Sequence, residues 1–582
     1  MKIRICFSLI ITCISVVVFG QRMSSALETQ FKKNEIVDCI IVMQDQLDLY
    51  GKTEGWTKNQ KANFVYDQLY HHAQQSQKNL ALYLDENNID HQSFFVFNGF
   101  RAKLTAAQAN EIMNLFNVEK IVYNVPTKVL DARAGLPNMD RTDAEWGIVK
   151  IKADSVWQMG YEGEGVVVAG QDTGYDFDNE LILSKYRGYT DAMNIDHNFN
   201  WHDAIDSLNP LNNDTINDPS LNPCGFLSDF PCDDHGHGSH TMGTMVGSDT
   251  ANAIGVAPAA QWIGCRNMDR GWGMPSTYTE CFEWFLAPTD LEGQNPDPNK
   301  APHVINNSWG CPPKEGCEPD NWTFMETVVN NLTAAGTVVV VSAGNDGGDG
   351  CSSVRNPAAI FENSFSVGAT RDNDTKPGFS SIGPVMVDSS GRLKPDVVAP
   401  GFDVRSIWLN DEFKLARGTS MAGPHVAGAV ALIISANPDL VGQVDEIKNI
   451  LKMTAVPLMD STECENLSAL EVPNFYYGYG RIDALAAVNM ALSITSVSEI
   501  EEEGMVKVYP NPNTGDFIIE ALESSDMGDV YIRDLTGKLV RTYNNVPGRN
   551  QIVLSGLSAG VYVYTVVKND RIHSGKVVVN RG

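Results

Sequence analysis

Basic residues are scarce in this chain. Its 582 residues hold 43 Lys and Arg against 72 Asp and Glu, a formal net charge of −29 at pH 7. Neutralising a phosphate backbone needs a basic face, so no nucleic-acid partner is expected. Long apolar runs are few. After residue 20 no segment is apolar enough to span a bilayer, which takes roughly 20 residues. Internal repeats and low-complexity tracts are absent, which excludes repeat arrays. Cysteine is limited to 11 residues with no tight C-x-x-C pair, which weighs against zinc ligation. The length exceeds what one core can serve and implies about three to five domains.

Lys2 and Arg4 stand ahead of an apolar run from Ile5 to Phe19 that ends at Gly20. This is the charged region, apolar region and small-residue cleavage site of a secretory signal, assigned to residues 1–20. Its removal takes Cys6 and Cys13 with it. Cys39 falls in the next segment. The other cysteines, from Cys224 to Cys464, form an even set within one candidate domain. In an oxidising compartment they are expected to pair. Local disulfides Cys224–Cys232 and Cys311–Cys317 are expected, and the remaining connectivity is open.

Residues 21–135 read as an α+β unit. Ile36 to Met43 is strand-like. A helical stretch follows with Val65, Leu69, Ala73, Leu80 and Leu84 on one stripe. Ser93 to Leu104 is strand-like, Thr105 and Gln108 make a capping box, and Val118 to Val125 closes the unit. The order βαββαβ is the ferredoxin-like plan.

From 140 to 493 the pattern becomes alternating strands and helices. The runs Val166–Asp172, Val304–Ser308, Val338–Ala343, Phe365–Ala369 and Val397–Ala399 are continuously apolar. Such runs suit strands buried on both faces, hence an α/β domain on a parallel sheet. Thr277 and Glu280 are expected to cap one helix, and residues 322–335 to form another. The Asp-, Asn- and Pro-rich stretches 201–234 and 288–302 read as surface loops. Residues 494–504 are an acidic linker. Residues 505–582 alternate with period two between Gly-containing turns, an all-β sandwich of about seven strands.

Three local motifs could supply nucleophilic catalysis. A serine hydroxyl is a poor nucleophile without a general base, and the base needs a third group to orient it. Asp172 ends a strand in Gln171-Asp-Thr-Gly174, where ligands of parallel sheets gather. Asp176 and Asp178 are alternatives. His237 sits in Asp234-His-Gly-His-Gly-Ser-His240, whose small neighbours let an imidazole reach two partners. His235, His237 and His240 as a metal site is the rival reading. Ser420 opens an apolar helix in Gly418-Thr-Ser-Met-Ala-Gly-Pro424. There a backbone N–H and the positive helix end favour an oxyanion. Asn345, after the apolar run Val338–Ala343, could donate to that oxyanion.

The three segments, in the order Asp, His, Ser, resemble subtilisin-like serine peptidases. Thr244-Met-Val-Gly247, Gly255-Val-Ala-Pro258, Asn306-Asn-Ser-Trp-Gly310 and Tyr477-Gly-Tyr-Gly-Arg481 make the chain most similar to the bacillopeptidase F group. The resemblance implies Ser420 as nucleophile, His237 as general base, Asp172 as its orienting acid and Asn345 as oxyanion donor. It further implies that Ser308, Trp309 and Gly310 bind the substrate backbone as an edge strand, opposite Ala343 and Gly344. Residues 21–135 resemble an inhibitory propeptide, cut between Leu130 and Asp143. Val508-Tyr-Pro-Asn-Pro512 and the late Gly560-Val-Tyr-Val-Tyr564 resemble a type IX secretion C-terminal sorting domain. The expected protein is a secreted or cell-surface endopeptidase acting on proteins or peptides. Its expected partners are its own propeptide and the type IX machinery. No cofactor is required, and the Asp-rich insertion leaves room for a structural Ca2+. The alternatives are an inactive subtilisin-fold binding protein and an α/β-hydrolase esterase. The esterase would need G-x-S-x-G and the order Ser, acid, His, and neither occurs around Ser420.

Overall fold

The computed structural model describes residues 23–129 and 144–494, except 210, 213–222, 311–321, 462 and 465–466, together with most of 506–579. The expected signal, the segment 130–143, the pair Cys311–Cys317 and most of the linker lie outside the described residues. The chain divides into two compact units, Met1–Ser493 and Ile494–Gly582.

After a short helix, Ser25–Phe31, the first unit continues with β1 (Val37–Met43), α1 (Lys58–Ser76), α2 (Lys78–Glu86), β2 (His91–Phe94), β3 (Gly99–Leu104), α3 (Ala106–Leu115) and β4 (Val118–Tyr123). The sheet runs β2-β3-β1-β4, antiparallel throughout. That is the ferredoxin-like order. The expected capping box is present: Thr105 Oγ1 accepts from Gln108 N, and Gln108 Oε1 accepts from Thr105 N. Two details differ from the sequence reading. The strand expected over 93–104 is a hairpin, its turn pinned by Asn98, which bonds Gln46 and the Asp45 carbonyl. The single helical stripe bends at Gln77, whose side chain donates inward to the Phe94 carbonyl. The bend lets one stripe serve two cores. Leu80 and Leu84 pack under the antiparallel sheet, while Val65 and Leu69 join the larger cluster beyond it.

The larger part of this unit is a seven-stranded sheet, every neighbouring pair parallel. After the short β5 (Thr127–Lys128) come β6 (Val167–Asp172), β7 (Trp201–Asp203) and β8 (Gln261–Arg266). The next strands are β9 (Met268–Asp269), β10 (Trp272–Gly273), β11 (Val304–Asn307), β12 (Val338–Ser342), β13 (Phe365–Thr370) and β14 (Val397–Pro400). The parallel order is β14-β13-β12-β11-β6-β8-β7. β7 and β8 were not expected. Both carry polar residues that the interior satisfies in pairs: buried Arg266 on β8 bonds Asp203 on β7 and also Asp234.

Four helices matter for the site: α4 (His237–Val246), α5 (Pro275–Leu286), α6 (Thr323–Ala334) and α7 (Thr419–Ala436). α5 is capped differently from the sequence reading. Pro275 takes the first turn, where its missing N–H costs nothing, and Met274 precedes it. Thr277 lies one turn in and its hydroxyl bonds the Met274 backbone. Contrary to the expectation that no segment after residue 20 is apolar enough to span a bilayer, α7 is apolar and long enough to do so by composition, yet it is the buried helix packed across β11 to β14.

Disulfides join Cys224–Cys232, as expected, and also Cys265–Cys281 and Cys351–Cys464. Among its described residues the second unit has three strands in one sheet and four in another, closing on a core that includes Phe517, Ile519, Val530 and Val566. These seven strands form the expected sandwich.

Candidate active site

β6 carries Asp172 to the carboxyl edge of the sheet, buried at its last residue. His237 is the first residue of α4. Gly236, with φ 93°, turns the chain into that helix. Gly238 cannot be replaced, because a Cβ there would stand 2.0 Å from the Gly174 carbonyl oxygen. This close approach brings the imidazole onto the aspartate. His237 Nδ1 donates to Asp172 Oδ1 at 2.7 Å, and Thr173 N donates to the same oxygen at 2.8 Å. Asp172, not Asp176 or Asp178, is therefore the carboxylate bonded to His237. His237 Nε2 is buried with no hydrogen-bond partner.

Ser420 is the second residue of α7, with Gly418 as the residue before the helix. Its hydroxyl donates to the Ser308 carbonyl at 3.3 Å, and Ser308 Oγ donates back to the Ser420 carbonyl at 3.0 Å. The second bond has a local cause. Pro424 has no N–H to bond the carbonyl four residues earlier, so that oxygen is free to accept from Ser308. The Asp–His contact is thus made, while the Ser420 hydroxyl points to β11's continuation rather than to His237. Asn345 Oδ1 accepts from Thr419 N at 2.9 Å and from Thr419 Oγ1 at 3.0 Å. Its Nδ2 is buried and unpartnered. A fixed donor beside Ser420 with nothing to bond is what a developing oxyanion needs.

The other histidines have separate roles. His240 Nε2 donates to the Val404 carbonyl, and burial pushes its pKa down to about 3. Burial also lowers His235, and the nearby His237 adds to the effect. The described residues of the Asp-rich insertion do not fit a Ca2+ site. Asp203 accepts from Ser228 N, Ile205 N and Arg266. Asp233 accepts from Thr173, His235 N, Gly236 N and Ser239. Asp234 bonds Arg266 and Arg270 N. Among the described residues, no group of three or more acidic, His or Cys side chains is arranged to hold a metal.

Ser308, Trp309 and Gly310 follow the carboxyl end of β11, which lies inside the sheet between β6 and β12. All three are buried, as are Ala343 and Gly344 after β12. The edge that pairs with an extended segment is β10. β5 lies antiparallel on it, Lys128 opposite Trp272 and Thr127 opposite Gly273, and Val129 N donates to the Gly271 carbonyl at 2.7 Å. Gly271 stands against His235, whose ring is 6.3 Å from that of His237. This edge was missed in the sequence, where Arg270-Gly-Trp-Gly273 carries no strand signal.

The N-terminal sheet packs directly on α5 and α6. The Phe97 ring lies 4.7 Å from that of Phe324. Glu283 on α5, partly buried, accepts from Phe95 N and Val96 N at 2.5 and 2.8 Å. Asn331 on α6 holds Leu49 N and the carbonyls of Leu47 and Val96.

The profile of the subtilase family matches residues 163–480, more than half of the chain. The chain belongs to the subtilase family. Bacillopeptidase F of Bacillus subtilis (strain 168) is 34% identical over 504 residues, 80% of this chain and 32% of the relative. Subtilisin DY of Bacillus licheniformis is 30% identical over 344 residues, 59% of this chain and 97% of the relative. Subtilisin Savinase of Lederbergia lenta is 29% identical over 344 residues, again 59% of this chain and 97% of the relative. The chain therefore spans about a third of bacillopeptidase F and nearly the whole of the smaller subtilisins. A second profile, described as a secretion system C-terminal sorting domain, matches residues 507–580. Membership puts the chain among serine endopeptidases with a secretion tail.

Proposed function

We propose that the chain is a secreted endopeptidase that hydrolyses proteins through an acyl-enzyme. Ser420 Oγ attacks the scissile carbonyl once it turns from Ser308 toward His237. His237 Nε2 takes its proton and returns it to the leaving amine, while Asp172 holds the Nδ1–H tautomer. Asn345 Nδ2 and the backbone N–H of Ser420 bind the oxyanion. Ser308–Gly310 and Ala343–Gly344 flank the substrate. The observations that carry this reading are the buried Asp172–His237 bond and, separately, an unpartnered amide donor, Asn345 Nδ2, held next to the helix-initial serine segment.

The same reading assigns residues 1–20 as signal, 21–135 as inhibitory propeptide, 140–493 as the peptidase domain, 494–504 as linker and 505–582 as the sorting domain read by the type IX machinery. Support for the inhibitor comes from β5, a strand of the N-terminal segment paired on β10 beside His235, and from the complete burial of His237 and Ser420. Activity then requires a cut between Leu130 and Asp143 and departure of the N-terminal unit.

The test is a serine-directed fluorophosphonate applied to the matured protein, with casein hydrolysis alongside. Labelling located at Ser420 with casein cleavage is the expected result. A matured protein that neither labels nor cleaves would favour the inactive binding protein. Asn345→Ala is expected to slow turnover by about 10²–10³ with KM little changed, because the donor acts on the oxyanion rather than on bound substrate. Steady-state kinetics on a peptide substrate measure both.

A further inference from the structure

α1 begins against its own electrostatics. Thr57 caps it, and Lys58 and Lys61 stand among its first four residues, at the positive end of the helix dipole where anions are favoured. Both lysines are buried all the same, and their partners lie in the peptidase domain. Lys58 Nζ donates to the Ala301 carbonyl at 2.7 Å, and Lys61 Nζ donates to the Gly442 carbonyl at 2.8 Å. Asp445 and Glu54 oppose the lowering that burial imposes on the Lys61 pKa. The residues just ahead of α1 add three more bonds. Thr53 Oγ1 donates at 2.7 Å to the Ala334 carbonyl, at the end of α6 where helix carbonyls lack partners of their own. Tyr50 Oη donates to Asp445 Oδ2 at 3.0 Å, and Gln443 Nε2 donates to the Trp56 carbonyl at 3.2 Å. Gly442, with φ 78°, admits the helix, since a Cβ there would stand 2.9 Å from Lys58 Cβ. Close packing is not what joins the two surfaces, because an open cavity of about 260 Å³ lies between Tyr50, Thr53, Lys61 and Asp445. None of these residues belongs to β5, to β10 or to the segments that carry Asp172, His237 and Ser420.

We propose that the face formed by Ala301, Ala334 and Gly442–Asp445 is an exosite, a docking surface outside the cleft that takes the segment Tyr50–Lys61 and keeps the N-terminal unit bound after the chain is cut. This rests on the reading of that unit as an inhibitor and goes beyond it, because the hold is placed away from the strand on β10. The chemistry selects the occupant. Backbone carbonyls and one carboxylate receive two ammonium groups and two hydroxyls. The partner that fits is therefore a helix start with lysines three residues apart, preceded by hydroxyl side chains. Lysines that oppose the helix dipole cost stability locally, and their bonds to the exosite are what offsets that cost. The consequence is bivalence. The cleft strand and the exosite segment sit on one folded unit, so when either lets go the other holds it in place to rebind. A single cut between Leu130 and Asp143 then leaves the peptidase still covered.

The experiment uses the full chain as Ser420→Ala, with the recognition sequence of a site-specific protease placed between Leu130 and Asp143, so that the cut needs no activity of the chain itself. After complete cutting and dilution, timed size-exclusion runs give the rate at which the N-terminal unit leaves. The otherwise unchanged chain is expected to stay paired through the runs. Lys61→Met, which removes the donor, and Gly442→Ala, which crowds Lys58, are each expected to speed departure about tenfold or more. Both act on one contact, so the double variant is expected to separate little faster than the faster single one. Lys61→Met combined with Glu283→Gln, on a separate contact, is expected to give the product of the two effects. General unfolding would not distinguish those two pairs. A parent that separates at once, single variants within about twofold of the parent, or Lys61→Met and Gly442→Ala effects that multiply would each overturn the inference. Casein hydrolysis by the chain that keeps Ser420 reports separately on the peptidase reading, since departure of the N-terminal unit is measured without it.

Discussion

Casein turnover by the matured protein is expected to fall about 10⁶-fold in Ser420→Ala, the loss seen when a related enzyme gives up its nucleophile. The size follows from what the substitution leaves behind. Asp172 and His237 keep their bond, and Asn345 keeps its donor beside the helix start, yet nothing remains for His237 to deprotonate. The residue left is binding and oxyanion stabilisation, which are worth about 10³–10⁴ over water by themselves. Folding is not expected to suffer. The Ser420 hydroxyl makes one bond of 3.3 Å to the Ser308 carbonyl, while the Ser308 hydroxyl bonds the Ser420 backbone and survives the change. The variant also separates two routes of maturation. If the chain cuts its own 130–143 segment, Ser420→Ala accumulates at the length of the uncut protein. If another protease cuts it, the variant matures and stays inactive. Casein hydrolysis within tenfold of the parent would remove Ser420 from the mechanism.

The legible part of this molecule was the part written in apolar runs and in short polar motifs at strand ends. β6, β11, β12, β13 and β14 are buried on both faces and read directly as Val-rich runs. Asp172, His237, Ser420 and Asn345 stand at strand ends and helix starts, where their neighbours are small. The illegible part is where the interior is held by pairs of polar residues. β8 carries Arg266 into the core, where the distant Asp203 and Asp234 help make that tolerable, so no local window reveals the strand. β10 is two residues long and exists because β5 and β9 flank it, a tertiary fact. Thr277 looked like a helix cap by spacing, yet Pro275 starts the helix earlier. The stack of Tyr278 on Trp309 joins residues from α5 and from beyond β11, a pairing that no periodicity announces.

The second large effect is expected in Asp172→Asn, about 10⁴-fold in turnover at neutral pH. Asp172 is buried, and its Oδ1 accepts from both His237 Nδ1 and Thr173 N. An acceptor at that point requires the proton of a neutral imidazole to sit on Nδ1, which leaves Nε2 free to take the proton of Ser420. An amide fits the same space but can turn its NH₂ toward the ring. The imidazole then prefers its proton on Nε2, and the atom proposed to take the proton of Ser420 becomes a donor. The carboxylate that would stabilise the imidazolium is lost as well. Asp176→Asn is the control. Asp176 is pushed up to about 7, chiefly by burial and then by the neighbouring Asp178, yet it is not bonded to His237. A perturbed carboxyl near a histidine is a natural candidate for the acid of a triad, and geometry alone rejects it here. Turnover of Asp176→Asn is expected within a few-fold of the parent. If instead Asp176→Asn loses 10⁴ and Asp172→Asn does not, the acid has been assigned to the wrong residue. Rates of fluorophosphonate labelling should follow the same order, because the probe needs the same proton transfer from Ser420.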